Sequence, residues 1–576
     1  MAATSCNVCD SGRPPLWQIR ARRIVHDTEE RQLYFDHAQL RILGLPVLYA
    51  PRLRLPDPTL DRATGFLFPE ITSSSLLGWG GKVPYFIELG ESADLTVTPF
   101  ITTETNTLEL GYRRAYAGGE IDWNTYISDD TLSNREVRWG VLSEGRFDLP
   151  REFELNFDIE AASDRSYLSD YNYSGKDRLD SALSLSRTRT DSDTFIELVA
   201  LRSLRDAEAN NEFPSVIFDA THRLRLGNNG GLTTDFHSHY RESQSTDDED
   251  GDGIADGLDL TRATALVDWK RSTVLPSGFV LEAQALAGGD LYFLSDDPGF
   301  DDSITRARGG AAIGLSWPLM HRVEGGAMNI LEPKVQLSSS GASTSDAPNE
   351  DSTGGEFDEG NLFSLNRAPG SDVIEDGARV DLGLTWTRFG PQGWDSTVTF
   401  GRIERISGDN DFSASSGLSE DASNWLISGT LTTGGLIDVI GRLLLEDDLG
   451  VTKNEIGVAY GGERLRVTSS YAYLVSDPGE DRNTESSEIT IDSEYDFSDV
   501  LTGSASMRYD FTTEATTEAE IGLRYVNECV EVVFSVSRNF TSSDSVNSST
   551  DFGLTVGLLG FGTSDAASRA NNASCR

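Results

Sequence analysis

Apolar and polar residues alternate strictly along much of this chain. Residues 151–160, REFELNFDIE, place four apolar side chains on one face and four polar ones on the other. The same period of two recurs in residues 377–389, GARVDLGLTWTRF, and in residues 529–538, CVEVVFSVSR. This period is typical of a β-strand with one apolar and one polar face. We therefore expect an all-β fold built mainly from antiparallel strands.

No stretch of the sequence is apolar over the roughly 18 to 20 residues that a membrane-spanning helix requires. If the chain crosses a membrane, it must do so as a closed β-barrel, because only helices and closed barrels satisfy every backbone group in lipid. At about 9 to 11 residues per strand plus connections, the chain has room for on the order of 24 to 26 strands. Long Asp/Ser/Gly-rich segments alternate with tight turns, as is typical of a large antiparallel transmembrane β-barrel.

The charge is strongly acidic, with 93 acidic and 48 basic residues spread over the chain, for a net charge of −45. Nucleic acid is an unsuitable partner, because phosphate binding needs clustered Lys and Arg. Only five of the basic residues are lysines. Arginine suits carboxylate and phosphate partners in partly dry places such as a barrel lumen or an anionic lipid surface. A coding bias in GC-rich DNA explains the preference for arginine over lysine equally well.

Two strand-like runs near the start of the main β region are each interrupted by a proline. Residues 65–100, GFLFPEITSSSLLGWGGKVPYFIELGESADLTVTPF, contain these prolines at Pro69 and Pro84. Proline cannot donate a ladder hydrogen bond, so strand pairing is weakened there. The last strand-like run, in residues 551–562, must pair with the first, near residues 65–71, to close a barrel. Its alternating apolar residues are Phe552, Leu554, Val556 and Leu558.

The order of these segments resembles the start of the barrel domain in the LptD family of lipopolysaccharide-assembly proteins of the Gram-negative outer membrane. The resemblance implies that lipopolysaccharide passes into the outer leaflet through a lateral gate between the first and last strands, which the two prolines weaken. It also implies an LptE-like lipoprotein plug inside the barrel and periplasmic Lpt bridge proteins as partners. Pro69, Pro84 and the apolar residues of the last strand are the expected gate residues.

Residues 17–55 alternate as short strands and resemble the last turns of the periplasmic β-jellyroll (OstA-like) domain that precedes the barrel in this family. The expected domains are a jellyroll remnant at 1–60, a barrel at 61–562 and a tail at 563–576. An edge hairpin of the barrel is the alternative interpretation of the first segment. The opening MAATSC has no signal-peptide pattern. The resemblance implies a chain truncated at its N-terminus, with its first segment in the periplasm.

Four cysteines are present, at Cys6, Cys9, Cys529 and Cys575. Neither a second Cys pair for zinc nor a strand-then-helix redox context accompanies Cys6 and Cys9, so disulfides in an oxidising compartment are expected. The family resemblance implies a bond from an N-terminal cysteine to Cys529, with Cys9 or Cys6 as its partner. Cys575 is the remaining candidate for a second bond.

One acidic loop matches a calcium-binding pattern. Residues 248–259, DEDGDGIADGLD, offer carboxylates and a backbone carbonyl in the number that calcium prefers. The candidate ligands are Asp248, Asp250, Asp252, Asp256, Asp259 and the carbonyl of Ile254. A solvated acidic surface loop is the alternative, and no other cofactor is expected.

The sequence shows no catalytic motif, since it lacks a G-x-S-x-G nucleophile elbow. We therefore expect a transporter and not an enzyme. Two alternatives stay open: a general porin or receptor-type barrel without lipid cargo, and an outer-membrane lipase carried on a barrel.

Overall fold

The computed structural model describes most of the chain. The described residues are 2–4, 6, 15–29, 31–42, 44–57, 62–67, 69–133, 137–205, 214–241, 259–295, 300–344, 347–348, 355–408, 412–480, 482–527, 529–540 and 548–558.

The first strands form a small antiparallel sheet, named here the N-terminal sheet. Its strands are β1 (Ala2–Ala3), β2 (Trp17–Arg20), β3 (Arg23–Asp27), β4 (Gln32–Ile42) and β5 (Leu45–Pro56). The long strand β4 pairs with β2 and β3 on one edge and with β5 on the other. Over the described residues these strands pair with one another and not with the barrel, so the interpretation as a barrel edge hairpin is wrong. Assignment of the sheet to a jellyroll domain stays a prediction.

The remaining strands form one closed barrel. Its first strand is divided into β6 (Gly65–Phe66) and β7 (Glu70–Ser74), and its second into β8 (Gly78–Lys82) and β9 (Tyr85–Glu88). The strands that follow are β10 (Ala93–Thr102), β11 (Thr105–Tyr116), β12 (Gly119–Asp130), β13 (Arg138–Leu149), β14 (Phe153–Ala162), β15 (Arg178–Thr188), β16 (Ser192–Ser203), β17 (Val216–Leu226), β18 (Gly230–Arg241), β19 (Asp259–Val274), β20 (Val280–Ser295), β21 (Ser303–Ser316), β22 (Leu319–Arg322), β23 (Met328–Ala342), β24 (Gly377–Phe389), β25 (Trp394–Arg405), β26 (Trp425–Thr433), β27 (Ile437–Leu445), β28 (Val451–Gly461), β29 (Leu465–Leu474), β30 (Ser486–Ser498), β31 (Leu501–Asp510), β32 (Ala515–Val526), β33 (Val530–Asn539) and β34 (Ser549–Leu558).

The barrel closes with 26 strands, since β21 and β22 are two parts of one strand around Pro318. Neighbours in the chain pair in antiparallel fashion around the ring, and the last strand, β34, pairs with β7 of the first strand. The predicted all-β fold, its closure and a count of 24 to 26 strands are confirmed.

The two ends of the barrel differ in their connections. One end, called the short-turn end, carries connections such as residues 117–118, 189–191 and 499–500. The other, called the long-loop end, carries residues 163–177, 343–376 and 406–424. The N-terminal sheet docks at the short-turn end, against the connection between β32 and β33. This asymmetry between ends is the one expected of a transmembrane barrel.

Helix is nearly absent from the described residues. The α-helix is α1 (Tyr167–Asp170), and single 3-10 turns cover Pro150–Glu152, Pro276–Gly278, Ala414–Ser416 and Pro478–Glu480. Within the described part of the chain, no helix combines the length and apolar character needed to cross a bilayer.

The barrel wall has its polarity reversed relative to a soluble protein. In β23, the Leu337 side chain is 58% exposed on the outer face, whereas its neighbours Gln336 and Ser338 are 4% and 5% exposed and face the interior. Leu337 lies opposite Ile313, which is 62% exposed. Large apolar groups outside and polar groups inside require a surrounding solvent that is itself apolar. The alternation seen in the sequence therefore separates a lipid face from a lumen face.

Candidate functional site

The candidate site is the seam, defined here as the contact between β34 and the first barrel strand. Its described register runs from Asp551 opposite Ser74 to Thr555 opposite Glu70, which is five residue pairs. On its other side β34 pairs with β33 over ten residues, from Ser549 to Leu558. Among the described residues, β34 is thus paired with the first strand over about half of its length.

The seam ladder stops where Pro69 interrupts the first strand. Ser75 N–H donates to the Thr550 carbonyl at 3.0 Å, so every second residue from Ser75 directs its nitrogen toward β34. Continued in this register, the nitrogen of residue 69 lies opposite Val556. Because proline has no N–H, the donor that would extend the ladder is missing there.

Pro84 removes a donor in the same way between the first two strands. Leu67 N–H donates to the Pro84 carbonyl at 2.9 Å, but the reciprocal bond from residue 84 cannot form. Register also shifts by one residue between the pair Glu70–Lys82 and the pair Phe66–Tyr85, which places a bulge in the first strand. The part of that strand nearer the short-turn end, β6, pairs with β9 over two residues.

A short ladder alone does not distinguish the seam, because β14 and β15 also share only five register pairs. There, however, side chains bridge the gap: Ser181 Oγ donates to the Glu160 carbonyl at 3.1 Å and accepts from its N–H at 2.9 Å. Among the described residues of the seam beyond Thr555, no such bridge is found. The seam is therefore the more weakly joined of the two contacts.

The predicted gate residues fall in different parts of this arrangement. Phe552 and Leu554 lie within the five-pair ladder and are 46% and 38% exposed on the outer face, with Leu554 opposite Ile71. Val556 lies beyond the ladder and packs against the apolar cluster that the N-terminal sheet forms with Cys529 and Val530. Leu558 pairs through its backbone with Val530 of β33. Pro69 lies at the end of the ladder, and Pro84 lies one strand away.

A disulfide ties the N-terminal sheet to the barrel beside the seam. Cys6 is bonded to Cys529 across 523 residues of sequence, and the Trp17 indole N–H donates to the Cys529 carbonyl at 2.8 Å. Trp17 is 1% exposed and belongs to an apolar cluster with Val530, against which Val556 packs. The predicted link from the N-terminal segment to Cys529 is confirmed with Cys6 as the partner. Cys9 and Cys575 lie outside the described residues.

Buried ion pairs fix loop 163–177 inside the long-loop end. The Arg138 side chain is 1% exposed and donates to Asp164 at 2.7 Å, to Asp170 at 2.8 Å and to Asp130 at 3.2 Å. Burial alone favours the neutral acid, yet hydrogen bonds from Arg138 and Ser163 lower the pKa of Asp164 to about 2. For Asp170, burial dominates and raises the pKa. Sequence analysis did not find this cluster, because its members are far apart in the chain.

Acidification should loosen loop 163–177. Since folding lowers the pKa of Asp164 below its ordinary value near 3.9, its ionised form stabilises the folded loop above about pH 4, and this stabilisation is lost as the pH falls through about 2. The protection factors of the loop amides, which correct for the intrinsic pH dependence of hydrogen exchange, should fall over this range. The Asp164→Asn variant should exchange fast already at neutral pH and show a smaller pH response. An identical response in both proteins contradicts the assignment.

Two further buried charge clusters line the lumen near the long-loop end. Arg306 and Arg308 donate to Asp290 at 2.8 and 2.7 Å. Arg367, in loop 343–376, donates to Glu375 at 2.8 Å and to Asp381 of β24 at 2.9 Å, which draws this loop into the barrel. Replacement of one member would leave an unpaired buried charge, which is strongly destabilising. Part of the arginine content thus serves buried ion pairs on the lumen side, as one of the two interpretations predicted.

The predicted calcium loop mostly falls outside the described residues. Asp248, Asp250, Asp252, Ile254 and Asp256 lie there, whereas Asp259 is the first residue of β19, opposite Ser295. Among the residues that the structure describes, no group of three or more His, Cys, Asp or Glu side chains is arranged to hold a metal ion. Calcium binding by residues 248–259 stays a prediction.

A closed barrel with an apolar outer face, a charged lumen and unequal ends defines the class of outer-membrane β-barrels. The model of the LptD family, described as LPS transport system D, matches residues 136–499, which is more than half of the chain. The chain belongs to the LptD family.

Individual relatives agree with this family assignment. A protein of Vibrio vulnificus strain YJ016, named LPS-assembly protein LptD, is 24% identical over 98% of this chain and 76% of its own length. One of the same name from Idiomarina loihiensis is 30% identical over 178 residues, which are 30% of this chain and 23% of that protein. Among solved structures, the siderophore receptor PirA of Pseudomonas aeruginosa aligns with 90% of this chain and with 92% of its own chain, at 9% sequence identity and a TM-score of 0.34.

Proposed function

We propose that this chain forms the outer-membrane barrel that assembles lipopolysaccharide into the outer leaflet, and that the seam is its lateral exit. Membership of the LptD family supports the cargo. The half-length pairing of β34 with the first strand, ended by Pro69, is the observation that carries the exit. The proposed work is transport without bond chemistry.

The energetics favour the seam over other strand contacts. A backbone hydrogen bond contributes about 1 kcal/mol net, so opening the five-pair ladder costs on the order of 5 kcal/mol, about half the cost of a ten-pair ladder. Sugars of the cargo would travel through the polar lumen, while acyl chains leave between β7 and β34 into lipid. The exposed apolar side chains of Phe552, Leu554 and Ile71 line the outside of this exit.

The proposal includes partners at both ends of the path. Near the short-turn end the lumen wall forms a cleft of about 930 Å³ lined by mixed charges, among them Arg62, Asp94, Arg113, Asp122 and Glu144. A wall of this kind suits a polar plug, and an LptE-like lipoprotein is the proposed occupant. The N-terminal sheet at this end is proposed to lie in the periplasm, where Lpt bridge proteins deliver the cargo.

The prolines provide the test of this function. Pro69→Ala combined with Pro84→Ala restores two backbone donors, each contributing about 1 kcal/mol, so a roughly 30-fold slower delivery of lipopolysaccharide to the cell surface is expected. Delivery is measured by surface labelling of newly made lipopolysaccharide in a strain that depends on the variant. The matched control is Pro318→Ala with Pro333→Ala, since these prolines also lie in neighbouring strands but far from the seam. Unchanged delivery in the first variant, or equal slowing in both, contradicts the proposed exit.

The alternative of a general porin or receptor without lipid cargo is not favoured, because the chain belongs to a lipopolysaccharide-transport family. Solute leakage measured in proteoliposomes separates the two functions. A porin should conduct small solutes in proportion to protein, whatever residues occupy the seam.

A further inference from the structure

Lys82 fastens the seam hairpin, defined as residues 70–82, to the inner wall of the barrel. It is the last residue of β8 and lies opposite Glu70, the residue at which the seam ladder ends. Its ammonium lies 2.8 Å from Glu109 Oε1, and the two side chains are 21% and 16% exposed. It also lies 4.9 Å from the centre of the Phe100 ring and 5.6 Å from that of Tyr173. An ammonium over aromatic faces gains further electrostatic attraction.

This ion pair crosses an intervening strand. Lys82 belongs to β8 and Glu109 to β11, and β10 pairs with both of these strands. The distance between the two charges therefore depends on the angle at which the wall curves from β8 to β11. Outward movement of the seam hairpin flattens this wall and lengthens the contact. The pair is consequently stronger when the seam is closed.

The far side of the contact is held rigidly. Tyr173 donates its hydroxyl to Glu109 Oε1 at 2.8 Å and stacks on Tyr126 at a ring separation of 3.8 Å. Loop 163–177, which carries Tyr173, is fixed by the buried ion pairs of Arg138. The hairpin turn inserts Leu77, 4% exposed, into the same interior cluster as Tyr167 and Tyr171. Glu109 and Tyr173 are thus held by parts of the barrel other than the seam hairpin, and Leu77 is a second contact that must be released when the hairpin moves.

We propose that Lys82 is a positioning residue that latches the seam closed, through Glu109 and the aromatic rings of Phe100 and Tyr173. The proposal rests on the proposed function in that the seam opens for transport. It adds the residue that sets how often the seam opens. Lys82 lies where the seam ladder meets the proline-interrupted part of the first two strands, so its release weakens the contact between this hairpin and the inner wall.

The test measures opening directly, without cargo. An amide that is hydrogen-bonded across the seam exchanges its hydrogen only when the contact opens, so the exchange rates of the Ile71 and Ser73 amides, which face β34, report the open fraction of the purified barrel. Lys82→Met should speed this exchange about fivefold, in line with loss of a partly buried ion pair and its ring contacts. Lys82→Arg, which keeps the charge, should restore the parent rate.

Lys334→Met is the matched control. Lys334 also pairs with a glutamate, Glu282, and lies 4.5 Å from the ring of a loop residue, Phe363, but it is on β23, far from the seam. This variant should leave hydrogen exchange of the seam amides unchanged. Folding is checked by heat-modified gel mobility and by the Cys6–Cys529 bond, and Glu109→Gln serves as a second variant if Lys82→Met does not fold.

Specific outcomes overturn the latch. A folded Lys82→Met or Glu109→Gln barrel whose seam amides exchange as slowly as those of the parent, or equal acceleration by Lys334→Met, contradicts it. Failure of the proposed function is a different result: a seam held shut by a disulfide would then still deliver lipopolysaccharide, whatever the effect of Lys82.

Discussion

Crosslinking the seam is expected to abolish lipopolysaccharide delivery. Cysteines at Ser74 and Asp551 join β7 to β34 covalently when oxidised, because these residues lie directly opposite each other. A covalent bond cannot open thermally as the five hydrogen-bonded pairs can, so an exit through the seam is blocked completely. Surface labelling of new lipopolysaccharide should fall to background on oxidation, while the unoxidised variant should deliver normally.

A neighbouring pair of β34 provides the control. Cysteines at Arg538 and Thr550 join β33 to β34, a contact that the proposed mechanism never opens. Oxidation of this pair should leave delivery intact. Normal delivery through a fully crosslinked Ser74–Asp551 seam would contradict the lateral exit.

Breaking the disulfide is expected to release the N-terminal sheet from the barrel. Closure of a loop of 523 residues removes on the order of 5 kcal/mol of unfolded-chain entropy in the loop model. In Cys529→Ser, the Trp17 hydrogen bond and the apolar cluster with Val530 remain between the sheet and the barrel among the described residues. Limited proteolysis of the folded barrel should then cut residues 2–56 at least tenfold faster.

The choice of partner cysteine gives this prediction its control. Cys6→Ser should reproduce the effect of Cys529→Ser, because the structure bonds these two residues. Cys9→Ser should leave the sheet protected. Full protection of the sheet in Cys529→Ser would mean that packing around Trp17 alone holds it. Exposure in Cys9→Ser but not in Cys6→Ser would reverse the pairing.

Local periodicity was sufficient to predict the strands and the closed barrel. In residues 151–160, 377–389 and 529–538 the alternation of side chains is a property of the extended backbone itself, so it is visible without any tertiary information. The prolines at 69 and 84 were also readable as weak points, because a missing N–H donor is a property of the residue.

Long-range contacts could not be predicted in this way. Sequence analysis left Cys6 and Cys9 as equal candidates and gave no sign of Lys82, Glu109 or Tyr173, which approach one another only after the barrel has closed. The expected pairing of the last strand with residues 65–71 was also shifted, since the ladder runs from Glu70 to Ser74. A bulge of one residue decides such a register, and the pattern of alternation does not reveal it.

By itself, the sequence determined that this protein is a large barrel with an apolar exterior and a proline-interrupted first strand, because each of these follows from residues close together in the chain. Only the tertiary structure decided where the seam ladder ends, which cysteine anchors the N-terminal sheet and which lysine lies behind the seam. These depend on closing the ring, which sets register and brings distant residues together through geometry that no local pattern encodes.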